Sequence, residues 1–383
     1  MTAKSVPPTF ARALNVGCEC ITTDDALLRD ALAEEGASFG DAELVASHPH
    51  LFSRSAVFVE PEALEAMAAV VRAVERVVAL PAYIEQALAD AHPHARLAQK
   101  ARGAFLGYDF HLGDDGPRLI EINTNPGGGL LNAVLRRAQR ACCDEVRDAF
   151  GVGPGDARQR LFETFLSEWR LARGAAPLAR VAIVDDGPEG QYLHPEFVLF
   201  ERLFAMNGIE AVIADARELA IEGDRLVHRG MPIDLVYNRS TDFSLEEPAH
   251  AALAEAYRED LAIVVPHPRA HALYADKRRL VTLSSPDALA ALGVAPEDAA
   301  LLTRYVPSTI VVDPLHRETL WRDRKQLFFK PASGYGSKAA YRGDKLTKGA
   351  FEELLRAPYV AQALVPPSAR AIRVGEERRE LKL

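Results

Sequence analysis

Gly107 to Asn132, GYDFHLGDDGPRLIEINTNPGGGLLN, holds the side chains best suited to chemistry. Asp109 lies in a short run of alternating apolar and polar residues. Gly113, Asp114, Asp115 and Gly116 follow as turn formers, and a second run, Leu119 to Ile122, carries Glu121 and leads into Asn123. This order predicts a β-hairpin. A period of two places Glu121 and Asn123 on one face, and pairing across the turn brings Asp109 alongside them. Three hard oxygen ligands grouped in this way suit magnesium, which takes few protein ligands and fills its shell with water and phosphate oxygens. Asn125-Pro126-Gly127-Gly128-Gly129 then precedes a helical run from Ala133, so backbone amides near a helix start are expected to face an anion. An acidic hairpin followed by an ordinary glycine turn fits the same residues, and the stretch alone leaves both readings open.

A second group stands two hundred residues later. Lys330 ends the apolar run Lys325-Gln-Leu-Phe-Phe-Lys330 and leads directly into Pro331-Ala-Ser-Gly-Tyr-Gly-Ser-Lys338. Small residues at Gly334, Gly336 and Ser337 let backbone amides approach phosphate oxygens, while the lysine supplies a point charge. The order is not that of a P-loop, because the lysine precedes the glycines and no GxxxxGK[ST] occurs in the chain. A plain glycine hairpin between Phe329 and Tyr341 is the competing reading.

The elements that must position these groups are legible in outline. Helical patterns run from about Thr22 to Glu35 and from about Pro61 to Ala91, with a short strand at Ser55 to Val59 between them. These helices are expected to cover the sheet that holds the hairpin. A further helix spans about Leu130 to Phe150 and breaks at Gly151-Val-Gly-Pro-Gly155. From Arg180 the texture alternates. Strands at 181–184, 211–214, 234–238 and 262–266 are separated by helices near 195–206 and 249–257, the pattern of an open parallel sheet with crossovers. Asp185, Asp186, Asn238, Arg239 and His267 fall at the carboxyl ends of its strands, where ligands bind such sheets, although each also suits a turn or cap. The last segment contributes strands near Thr309, at 325–330 and at 359–365.

Composition narrows the function. The 383 residues suffice for two or three domains, and 48% hydrophobic with 26% charged residues describes a globular chain. Forty-five basic against 54 acidic side chains leave a net charge of -9, which argues against a general nucleic-acid binder. No stretch reads as a signal peptide or membrane span, so a cytoplasmic location is expected. Cys18, Cys20, Cys142 and Cys143 match neither a common zinc spacing nor a disulfide framework. His48-Pro49-His50 and His92-Pro93-His94 read as surface loops.

Three pieces together resemble the ATP-grasp superfamily: a strand lysine before a glycine-rich flap (FFKPASGYGSK), an extended hinge strand (YVAQALVPP) and a D…ExN metal hairpin (GYDFHL…LIEINTNPGG). Here the hairpin comes first and the flap last, an order similar to that of circularly permuted ATP-grasp proteins related to glutathionylspermidine-synthetase-like ligases. The resemblance runs from about Phe105 onward, and EINTNPGG is its most specific piece. It implies an α/β chain with a permuted α+β ATP-grasp fold and an open parallel-sheet domain like the pre-ATP-grasp domain. The implied divisions are 1–150 (helical cover and metal hairpin), 175–308 (open sheet) and 309–383 (lysine, flap and hinge).

The resemblance also implies ligands. Asp109, Glu121 and Asn123 would bind Mg2+, with Lys330 on the phosphates of ATP and Gly334, Tyr335, Gly336 and Ser337 as the flap. Gln362 and Leu364 would border the adenine, whose edge the backbones of Ala361 and Ala363 would read. Asp276-Lys277 is similar to the family pair that places an earlier nucleotide-binding lysine; a helix-start salt bridge in ADKRRL is its alternative. Arg239, Arg370 and Arg373 are candidates for holding carboxylates, and surface salt bridging is the other role for each. The implied activity is ATP-dependent ligation of a small carboxylate to an amine through an acyl phosphate. Phosphoryl transfer without ligation, or nucleotide binding without turnover, fits the same residues. In the family, strands after the hinge add to the metal-site sheet, and Glu380 to Leu383 reads as a strand cut short. Oligomeric state has no signal in the sequence.

Overall fold

The computed structural model describes residues 10–18, 23–36, 44, 47, 48, 50–53, 55–113, 115–139, 157–334, 339–367, 369–374 and 376–382. The hairpin forms as β1 (Gly107–Gly113) and β2 (Gly116–Asn123), antiparallel, with Asp109 opposite Glu121 and Gly107 opposite Asn123. Its register jumps between Asp109 and Phe110, which face Glu121 and Leu119, so Ile120 is an extra residue on β2. That bulge resets the period. Leu119 and Ile122, three apart, both turn into the core, while Glu121 and Asn123 keep the opposite face. The core below the hairpin comes from Val70, Val74 and Val77 of the helix Pro61–Val78, together with Tyr83, Leu280, Leu283 and Leu302. Pro81 starts a second helix, Pro81–Leu88, and splits the predicted 61–91 run. Arg76 grips Asp298 with two bonds, Nε to Oδ2 at 2.7 Å and Nη2 to Oδ1 at 2.5 Å, fastening Pro61–Val78 to the helix Pro296–Tyr305.

The predicted parallel sheet is present. It contains β3 (Arg180–Asp185) and β4 (Glu210–Asp215), followed by an antiparallel meander β5 (Leu219–Glu222), β6 (Arg225–His228) and β7 (Met231–Pro232) that sequence reading passed over. Then β8 (Leu235–Asn238) and β9 (Ile263–Val265) complete the order β4-β3-β8-β9, all parallel. Alternation divides β3 between two cores. Val181 and Ile183 face an aromatic cluster of Phe162, Phe165, Phe197, Phe200 and Phe204 on the helices Ala157–Arg173 and His194–Met206. Ala182 and Val184 face Leu253 and Tyr257 on the helix Ala251–Arg258.

The third sheet is antiparallel: β10 (Thr309–Val311), β11 (Leu327–Pro331), β12 (Tyr341–Arg342) and β13 (Tyr359–Ala363) in the order β10-β13-β11-β12. Phe329, Tyr359 and Ala361 bury one face against the helices Arg317–Asp323 and Lys348–Leu354. Period two therefore sends Lys330 and Gln362 to the other face. A final hairpin, β14 (Ala369–Val374) with β15 (Glu377–Lys382), pairs with itself and lies against the helix Phe10–Gly17 instead of joining β1 and β2.

Three local expectations change. Ser55–Val59 is not a strand: the side chain of Asn15 bonds both the N–H and the C=O of Phe58, at 3.0 and 2.8 Å, in place of a neighbouring strand. The helix Asp25–Glu35 does not cover the hairpin; its buried Leu28 and Leu32 join the aromatic core with Leu131 and Val134 of the helix Gly129–Ala138. That second helix stops at Ala138, where Gln139 bridges to Thr23, and the rest of its predicted span lies outside the described residues. Among the described residues no helix is long and apolar enough to cross a membrane.

Candidate active site

Asp109, Glu121 and Asn123 converge on one face of the hairpin. Asn123 Nδ2 donates to Asp109 Oδ2 at 3.1 Å. Burial, reinforced by the charge of Glu121, raises the Asp109 carboxyl above its ordinary range. Two cross-strand carboxylates and an amide oxygen form a hard-oxygen set with excess negative charge, so the donor chemistry fits a magnesium ion.

Two lysines face that set. Lys330 Nζ donates to Ile120 O at 2.8 Å and to Gln362 Oε1 at 3.0 Å. The first acceptor is the carbonyl of the bulged residue, which the bulge removes from the β1–β2 ladder. Burial lowers the ammonium to a pKa of about 8; Lys277 pushes the same way, while Glu121 and Asp109 oppose it. Lys277 Nζ lies 3.2 Å from Glu121 Oε1 and donates to Gly334 O at 3.1 Å, and the Lys277 backbone N–H bonds Ala332 O at 2.9 Å. Lys277 thus joins the hairpin to the base of the glycine loop. Gly334 sits there at φ 152°, in the region that favours glycine. Phe329 pairs with Tyr341 across that loop, so the lysine-then-glycine motif and the glycine hairpin are one object. Tyr335, Gly336 and Ser337 lie outside the described residues.

Several expected roles change with the geometry. Gln362 is buried, bonding Lys330 on one side and Thr309 Oγ1 at 3.3 Å on the other, so it orients the lysine. The backbone of Ala361 is enclosed between Ile310 and Phe329, and Ala363 N donates to Ser308 O at 2.7 Å. These N–H groups and the Ala361 backbone pair within the sheet. Leu364 N is likewise given to Gln326 O at 2.8 Å. Asp276 forms the helix-start bridge with Arg278, while the adjacent Lys277 reaches Glu121. The amides after the hairpin do face an anion, but it belongs to the chain: Glu196 accepts Gly128 N at 2.8 Å and Leu130 N at 3.0 Å. No sequence signal marked Glu196, an acid on an otherwise apolar helix face.

The arginines separate. Arg239 is buried beside the same loop, its Nη1 donating to Asn125 Oδ1, to Pro126 O at 2.9 Å and to Tyr237 Oη at 3.2 Å. Arg370, on β14, stacks 4.8 Å above the Phe58 ring and donates to Cys18 O at 3.2 Å. Arg373 is exposed on the opposite face of β14. At the carboxyl ends of the parallel strands, Asn238 Oδ1 accepts Ser240 N at 3.1 Å as a turn former. His267 caps a helical turn through Ala270 N at 3.0 Å, and burial lowers its pKa to about 4.

No family model matches the chain, nor does any curated protein. Among solved structures, a glutathione synthetase-like effector from Globodera pallida in apo form aligns over 93% of this chain and 85% of its own, with 14% identity and a TM-score of 0.55. The fold is ATP-grasp-like. A gamma-glutamylcysteine synthetase-like protein from Methylobacillus flagellatus aligns over 79% and 76% of the two chains, at 11% identity and a TM-score of 0.46. The ATP-grasp ligase PsnB, solved with a minimal precursor, Mg and ADP, aligns over 53% and 75%, at 16% identity and a TM-score of 0.29. Along the chain the β1–β2 hairpin precedes the lysine strand β11, and β13 runs between β10 and β11.

Proposed function

We propose that this chain is an ATP- and magnesium-dependent ligase, circularly permuted within the ATP-grasp fold, that joins a small carboxylate to an amine through an acyl phosphate. One observation carries the reading: Lys330 reaches the hairpin across 210 residues of sequence and meets the Ile120 carbonyl beside the metal-type carboxylates. In this reading residues 1–150 and 309–383 supply two jaws of one nucleotide clamp, and 175–308 forms the adjoining open-sheet domain.

Asp109, Glu121 and Asn123 would hold the magnesium, and Lys330 and Lys277 would meet phosphate oxygens. When bound, magnesium and ATP supply a transferable phosphoryl group with part of its charge already offset. Gln362 aims Lys330, and in the ligand-free chain Lys277 ties the base of the glycine loop to the hairpin. Arg239 fixes Asn125 and Pro126, which follow the metal ligands, and so acts as a positioning residue. In the overall reaction a carboxylate oxygen takes the phosphoryl group; the amine then attacks the carbonyl, phosphate leaves and the amine loses a proton.

Release of ADP and phosphate should be measured against a panel of amino acids, amines and small peptides. Ligation requires ADP formation that depends on a carboxylate and an amine together. A phosphorylated acceptor that persists in the presence of amine reassigns the chain as a phosphotransferase, and nucleotide binding without turnover on any pair overturns the enzymatic reading.

A further inference from the structure

A second cluster of ligand-type side chains is built from different elements, at the carboxyl ends of β3 and β8. His250 is fully buried. Its Nδ1 lies 2.7 Å from Asp242 Oδ2 and its Nε2 lies 2.8 Å from Asp186 Oδ1. Asp242 is itself fixed, since the same Oδ2 accepts the Glu247 N–H at 2.8 Å and its own N–H donates to Ser240 Oγ at 3.1 Å. Glu247 immediately precedes the single turn Pro248–His250, and Asp186 follows the last residue of β3. One ligand atom from each of Asp186, Glu247 and His250 falls within 4.8 Å of the other two.

We propose that Asp186, Glu247 and His250 bind one divalent transition-metal ion of the zinc class, separate from the hairpin's magnesium set. An imidazole with two carboxylates gives three protein ligands and leaves a fourth position for water, a pattern zinc accepts and magnesium does not favour. The second, independent observation is Asp242. A buried carboxylate on the far ring nitrogen of a metal-binding histidine takes the Nδ1–H, sets the tautomer and turns the Nε2 lone pair toward the ion. Here that carboxylate is in place and held by the backbone of Glu247, itself a proposed ligand. An ion on the Nε2 side would take the place of the contact with Asp186, with Nδ1 still bonded to Asp242. The arrangement is also open on the correct side. His250 and Asp242 are buried, whereas the Asp186 side chain is 41% exposed and Glu247 is exposed, so an ion enters from the carboxylate side. Arg217 is hydrogen-bonded to Asp215 and its charge also acts on Asp186.

The test titrates zinc chloride calorimetrically into full-length protein freed of metal with a chelator, with cobalt(II) absorption as the check on nitrogen ligation. The Glu121→Gln variant weakens binding at the hairpin, and one tightly bound zinc per chain is expected to remain in that background. Asp186→Asn and Glu247→Gln are each expected to weaken zinc at least about tenfold, with thermal unfolding of the metal-free variants as the check that each still folds cooperatively. Asp242→Asn should weaken it by about 10- to 100-fold, the usual range for an outer carboxylate. Absence of zinc binding in the Glu121→Gln background, or binding there that Asp186→Asn and Glu247→Gln leave unchanged, overturns the site.

Discussion

Replacing Gln362 by leucine separates the two roles this residue has been given. Gln362 Oε1 accepts one of the two hydrogen bonds that hold the buried Lys330 ammonium, at 3.0 Å, while Ile120 O accepts the other. A hydrogen bond to a charged group contributes about 1.5–3 kcal/mol, and one pKa unit corresponds to about 1.4 kcal/mol. Leucine of similar volume maintains the burial and removes the acceptor, so the Lys330 midpoint should fall from about 8 by about one to two units. At pH 7 the lysine would change from roughly nine-tenths charged to half charged or less. The shift is read directly by NMR titration of the lysine side chain in isotopically labelled protein, without any nucleotide. The alkaline limb of ATP binding should then move down by the same amount, with the preference for ATP over GTP unchanged. A Lys330 midpoint that stays near 8 would refute the assignment of Gln362 as the lysine's orienter. A changed base preference at an unshifted midpoint would return Gln362 to the adenine border.

Lys330→Met tests the same buried charge through stability. Between pH 8 and the ordinary lysine range near 10.5 the unfolded chain holds a proton that the folded chain has lost, so stability rises with pH across that window. The wild-type rise minus that of Lys330→Met, from urea unfolding at each pH, should be about 3 kcal/mol; equal slopes would contradict the depressed lysine. Glu121→Gln should weaken magnesium-dependent nucleotide binding by about tenfold or more, at least about 1.4 kcal/mol, with the fold retained; unchanged binding in calorimetry would remove Glu121 from the metal set. Phe165→Ala should cost about 3–5 kcal/mol in chemical denaturation, because its fully buried ring touches Phe105, Phe200, Phe204 and Tyr237; a loss under about 1 kcal/mol would show that the cluster refills.

Elements whose pattern coincided with burial were readable. Strands β3, β4, β8 and β9 are apolar runs because helices or the meander cover both faces, and Asp109, Glu121 and Asn123 could be grouped because pairing and alternation are local rules. The bulge at Ile120 was not legible, since either register satisfies the turn residues and only packing of both Leu119 and Ile122 selects the bulged one. The strand predicted at 55–59 failed for a related reason. Its composition suits a strand, but a strand requires a partner, and the Asn15 side chain supplied the hydrogen bonds instead. Partnerships such as Glu196 with the glycine-loop amides and Gln362 with Lys330 depend on distant elements arriving side by side. Periodicity gives the face of a residue and leaves its partner undefined.

Those partnerships also bear on how the candidate site would be entered. Lys277 Nζ lies 3.2 Å from Glu121 Oε1, so an ion on that oxygen competes with the lysine, and the same lysine holds Gly334 O at the flap base. An ion that draws Glu121 away releases Lys277 for a phosphate oxygen, and a phosphate that draws Lys277 away frees Glu121 for the ion. Each ligand removes a cost the other would otherwise meet, so magnesium and nucleotide should bind with reciprocal positive coupling. Lys277→Met eliminates the shared ion pair. The magnesium dependence of nucleotide affinity, corrected for magnesium–nucleotide association in solution, should therefore shrink in this variant by about 5-fold or more, roughly 1 kcal/mol of coupling. Calorimetric titrations with and without magnesium provide both numbers. Coupling of equal size in the wild type and in Lys277→Met would mean that the pair is a bystander, and that the hairpin and the lysine strand meet their ligands independently.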